Sequence, residues 1–92
     1  MIMITKKNEF SGASFDYANK KNTCTATGEY RYEGDKLSSV NINGQYTKDE
    51  TAHNFWANCD AAGNVNISGV PASVIAEVAT EVATIISEIK AE

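Results

Sequence analysis

Basic residues are scarce in the second half of this chain, histidine and tryptophan occur once each, and cysteine occurs twice. Each scarcity removes a class of function. From residue 49 to 92 there is one lysine, Lys90, against seven acids, a net −6, whereas residues 1–48 carry +2. An acidic half offers few cations for phosphate contacts, which argues against direct nucleic-acid binding. His53, Cys24 and Cys59 match no zinc-ligand spacing. The chain has no glycine-rich phosphate loop and no Walker-type lysine. Its longest helix-like stretch is interrupted by Glu and Thr, so no membrane-spanning segment is expected. The opening "MIMITKKNEF" lacks the basic n-region, long apolar core and small-residue cleavage site of a secretory leader. It reads as a native intracellular start, and a cytoplasmic protein is expected. No cofactor is implied.

What remains is 92 residues, 42% apolar and 22% charged. That suits one small domain, residues 1–92, with a single core. From residue 10 to 69 the pattern is period-two and broken about every ten positions by turn residues, the signature of antiparallel strands. "EFSGASFDYA", "TCTATGEYRY", "LSSVNINGQY", "HNFWANC" and "VNISG" read as five strands, separated by "NKKN", "EGDK", "TKDET" and "DAAGN". Side chains alternate across a sheet. One face then carries Phe15, Tyr17, Cys24, Tyr30, Val40, Ile42, Phe55 and their apolar neighbours. The other carries Thr25, Thr27, Asn41, Asn43, Gln45, Asn54, Trp56, Asn58 and Asn66. One dry face and one wet face describe a single-layer sheet.

After Pro71 the period changes. In residues 71–91, Ile75, Val78, Val82, Ile85 and Ile89 recur at helical spacing, widened by Val74, Ala79 and Ile86. A helix of 21 residues is about 31 Å long, close to a nine-residue strand, and can cover the dry face. The predicted fold is α+β: an antiparallel β-meander of about five strands packed on one C-terminal amphipathic helix. Facing Tyr30 with Val40 places Gly28 opposite Ile42 and Ala26 opposite Gly44, with Ala13, Ala57 and Ile67 continuing the band. Small residues there leave room for a helix backbone, or a hollow for a small ligand.

The same register separates the cysteines. Cys24 falls opposite Tyr46 and Cys59 opposite Val40, six residues along one strand or ~20 Å, so a disulfide is not expected. Buried free thiols are, in keeping with a reducing compartment. His53 and Cys59 are equally far apart, and His53 and Cys24 are two strands apart, which suits no Cys–His nucleophile. Asp60, Asn64 and Asn66 suggest a calcium loop, but Ala62 and Pro71 stand where ligands belong, so "DAAGN" reads as a hairpin turn. No catalytic or metal residues are assigned.

Two surface features invite a functional reading. Glu77, Glu81, Glu88 and Glu92 fall within a ~60° arc beside the helix's apolar stripe, a docking strip for a basic surface or only a hydrated edge. Trp56 projects from the wet face between Asn54 and Asn58, as a protein hot spot or a carbohydrate platform would. Alternatively the leading segment folds over it, covering it with Ile2, Ile4 or Phe10. The expected function is a non-enzymatic protein-interaction domain, a small intracellular inhibitor or adaptor docking on a basic partner. Phage and mobile elements encode many domains of that description. The alternative is a module binding carbohydrate or another small polar ligand around Trp56. A third is a homodimer formed through a sheet edge.

Overall fold

Period-two segments cannot satisfy their own backbone groups, so they must pair. In the computed structural model, which describes residues 2–7 as backbone and residues 12–91 in full, they do so in chain order. The strands are β1 (Ile2–Lys7), β2 (Gly12–Ala18), β3 (Cys24–Glu33), β4 (Lys36–Lys48), β5 (Thr51–Cys59) and β6 (Val65–Ser68). They form one six-stranded antiparallel meander, β1-β2-β3-β4-β5-β6, followed by helix α1 (Ile75–Lys90). The fold is α+β, as the residue pattern implies.

The register is the one that alternation predicts. Tyr30 lies opposite Val40, Gly28 opposite Ile42, Ala26 opposite Gly44 and Cys24 opposite Tyr46. Cys59 lies opposite Val40, Ala57 opposite Ile42 and His53 opposite Tyr46. The band does not extend to Ala13, however. Ala13 faces Tyr30, and Phe15 takes the position opposite Gly28. The five predicted strands are β2–β6, and β1 is an addition. It pairs along the otherwise open edge of β2, with Ile4 opposite Phe15 and a register shift before Lys6. An open edge recruits any β-compatible segment within reach, a tertiary effect that the pattern of residues 2–7 does not announce. The sheet edges are therefore β1 and β6.

Phe15 and Phe55 occupy the space over the central glycines. A Cβ on Gly44 would overlap the Phe55 ring, and one on Gly28 would fall 3.0 Å from Phe15 Cζ. The aromatic rings thus take the room that the small residues offer, leaving no inward hollow at those two positions. Val74, Val78, Val82, Ile85 and Ile89 close the core from the helix side, all almost fully buried. Each such side chain contributes about 1.5–3 kcal/mol by leaving water.

The helix begins later than the predicted residue 71. The Val74 amide donates to the Pro71 carbonyl at 3.1 Å, closing a turn, and the Val78 amide then donates to Val74 at 3.0 Å. Val74 has φ −122° and no side-chain cap, so regular helix starts at Ile75. With Val74 anchored in the core, Ile75 is turned ~100° away and is 38% exposed rather than part of the buried stripe. Ala79 is exposed for the same reason.

Candidate functional site

The wet face is built from rows that cross the strands. Residues paired across a sheet stand side by side on one face, so the register defines each row directly. One row runs Asp16, Thr27, Asn43, Trp56, Ser68. On one side lies Thr25, Gln45, Asn54, and on the other Ser14, Glu29, Asn41, Asn58, Asn66. A shallow open hollow of about 510 Å³ lies between the first two rows, lined by Asp16, Thr25, Thr27, Asn43, Gln45 and Asn54. A second, of about 290 Å³, shares Asp16, Thr27 and Asn43 and is bounded by Ser14, Glu29 and Asn41.

Trp56 stands at the end of the central row with 55% of its surface exposed. Ile2 and Ile4 do not lie over it, because β1 is at the opposite edge of the sheet, four strands away. Phe10 is outside the described residues. The indole is nevertheless supported. A Cβ on Gly69 would sit 2.7 Å from Trp56 Cζ3 and 2.8 Å from Cε3, and Gly69 has φ +88°. Glycine allows both the backbone turn and the close approach of the ring. Asn54 and Asn58 flank Trp56 on β5, both exposed. Gln45 Nε2 donates to Asn54 Oδ1 at 3.3 Å, and Asn66 Nδ2 donates to Asn58 Oδ1 at 3.2 Å. Each bond takes one lone pair of an amide oxygen, so both asparagines retain bonding capacity for a ligand.

The acidic helix edge lies on the other side of the sheet, and its carboxylates turn toward the strands. Glu77 Oε2 accepts from Lys48 Nζ at 2.8 Å, which holds the Glu77 carboxyl below and the Lys48 ammonium above their ordinary pKa values. Lys48 also donates to the Ser73 carbonyl at 3.1 Å. Glu81 Oε1 accepts from the Tyr17 hydroxyl at 2.8 Å, and its Oε2 accepts from Asn19 Nδ2 at 3.3 Å. Asn19 in turn accepts from the Thr23 and Cys24 amides, fixing the β2–β3 turn. Burial first, then the bond to Glu81, raises the Tyr17 pKa. Glu88 is half-buried on the same edge, and Glu92 lies outside the described residues.

Cys24 and Cys59 are both buried and unbridged. Burial, reinforced by the nearby Glu81 charge, pushes the Cys24 thiol up to about 12, opposite to what a nucleophile needs. "DAAGN" is a turn closed by its own first residue. Asp60 Oδ1 accepts from the Ala62 amide at 3.0 Å and the Asn64 amide at 2.9 Å. These bonds, the Asn64 amide foremost, lower the Asp60 pKa. Among the described residues no group of three His, Cys, Asp or Glu could hold a metal ion, and no helix is long and apolar enough to cross a membrane.

The sequence pattern singles out Trp56, Asn54 and Asn58 on this face, and the structure adds Asp16 and Gly69 as their neighbours along the row and beneath the ring. Asp16 was legible in principle, since alternation turns it outward between Phe15 and Tyr17. Comparison with family models, curated proteins and solved structures finds no match to this chain, so the residues themselves carry the functional argument.

Proposed function

We propose that this protein is a non-enzymatic carbohydrate-binding domain whose ligand lies on the wet face of the sheet against Trp56. The observation behind this reading is an exposed indole propped on a glycine backbone and surrounded by amides and hydroxyls. A sugar ring has an apolar C–H face that stacks on an aromatic ring and an equatorial belt of hydroxyls that amides can bond. An indole held in place loses little conformational freedom on binding, which favours affinity. The core of a protein–protein patch gathers further apolar and aromatic side chains around its anchor, whereas the neighbours of Trp56 on this face are overwhelmingly polar.

Docking of a basic protein on the helix edge has less behind it. Glu77 and Glu81, two of the four carboxylates in that reading, already bond Lys48, Tyr17 and Asn19 within the fold. A partner would have to compete with those contacts.

Trp56 is the only tryptophan, so its fluorescence reports this face alone. Titration with soluble oligosaccharides of glucose, N-acetylglucosamine, mannose and xylose is expected to give a saturable change in emission with at least one series. Calorimetry with Trp56→Ala is expected to lose that binding. Emission unchanged across the whole panel would overturn the proposal.

A further inference from the structure

We infer that the ligand runs across the strands, in the trough between the row Thr25–Gln45–Asn54 and the row Asp16–Thr27–Asn43–Trp56. The inference rests on the carbohydrate reading and adds the ligand's direction, its length and its charge class. The two rows are parallel ridges of polar side chains, and the hollow between them is continuous from Asp16 on β2 to Asn54 on β5. Its floor is the backbone of Ala26 and Gly44, paired in register. Trp56 does not line this hollow; it continues the second ridge one strand beyond Asn43, with its ring against Gly69 just past β6.

Distances set the length. Strands lie ~4.8 Å apart, so Trp56 and Asp16, three strand steps apart, are about 14 Å from each other. One strand step is close to the length of a pyranose unit in an extended chain, so about three rings span the trough. Trp56 stacks on the ring at one end, Asn43, Gln45 and Thr27 bond the middle, and Asp16 accepts from hydroxyls at the other end. An extended ribbon is required, which points to β-1,4-linked chains rather than curled α-1,4-linked ones. Neighbouring strands also rotate by roughly 20° about the row. The platform therefore turns by about 60° between Trp56 and Asp16, which fits a single soluble chain and not a flat crystalline surface.

Charge sets the class. Among the described residues, Asp16 in the trough and Glu29 in the adjoining hollow are the charged groups that line the ligand path. A neutral glycan meets no repulsion there, whereas a uronic-acid chain meets like charge.

The test is calorimetry with β-1,4-linked glucose and N-acetylglucosamine oligomers of one to six units, with α-1,4-linked glucose and polygalacturonate oligomers as contrasts. Affinity for a β-1,4-linked series is expected to rise at least tenfold from one unit to three and then level off. Asp16→Ala and Asn43→Ala, both at exposed positions, are expected to weaken three-unit binding about tenfold with melting temperatures unchanged. Asp16→Ala should leave single-unit binding at Trp56 nearly intact. Binding that needs Trp56 but does not depend on length, or ignores both variants, overturns the trough and leaves the platform standing. Preference for curled or anionic chains overturns the assignment to neutral, extended glycans. Absence of binding to every probe overturns both the trough and the platform.

Discussion

Replacing Gly28 with alanine is expected to lower the stability of the domain by about 3 kcal/mol. Alanine for glycine at an unstrained position normally raises stability by about 0.4–1 kcal/mol, by restricting the unfolded chain. In this sheet the sign reverses, because a Cβ would overlap the Asn41 carbonyl oxygen of β4 as well as crowd the Phe15 ring. A backbone carbonyl in the middle of a sheet can move only if the strands part. At Gly44 the obstruction is the Phe55 ring, a side chain that can tilt, so Gly44→Ala should cost less. Urea unfolding of both variants checks this. A Gly28→Ala domain as stable as the parent, or more stable than Gly44→Ala, would contradict the packing described.

A second large effect is expected in alkali. Cys24 is fully buried, and its thiol pKa is raised from 9.0 to about 12, chiefly by burial. The folded state therefore keeps a proton that the unfolded state releases. Stability from this group is fully present below pH ~9 and declines as pH rises toward about 12. The window is about three pH units wide, so the loss at its top is on the order of 4 kcal/mol. Tyr17, buried and bonded to Glu81, pulls in the same direction from about pH 10 upward, where an unfolded tyrosine begins to release its proton. Domains of this size hold roughly 5–15 kcal/mol in total, so the loss is a large fraction of the stability. Cys24→Ala should flatten the decline measured from pH 8 to 11. A parent whose stability does not change over that interval, or a variant that declines as steeply, would contradict the buried-thiol explanation.

Much of the sheet was legible because one chemical alternation fixes two things at once. Tyr30 opposite Val40 follows from matching apolar faces across a short turn, and Cys24, Cys59 and His53 then fall where they are found. Elements that depend on distant partners were not legible in the same way. The strand status of residues 2–7 comes from the open edge of β2. The partners of Glu81 come from Tyr17 and Asn19, more than sixty residues away. A row of glutamates on a helix therefore looks like a free charged strip until the sheet is placed beside it. Trp56 shows the same division. Its face follows from alternation, whereas its exposure and its support on Gly69 depend on where β1 goes and how the chain leaves β6.

Amide NMR of the isotope-labelled protein during titration with a β-1,4-linked trisaccharide tests the central claim most directly, because every element reports separately. Shifts are expected at the Trp56 indole N–H, the side-chain amides of Asn43, Gln45 and Asn54, and the backbone from Asp16 through Thr27, with α1 silent. Shifts confined to α1 around Glu77 and Glu88, or none at millimolar ligand, would contradict a carbohydrate face centred on Trp56.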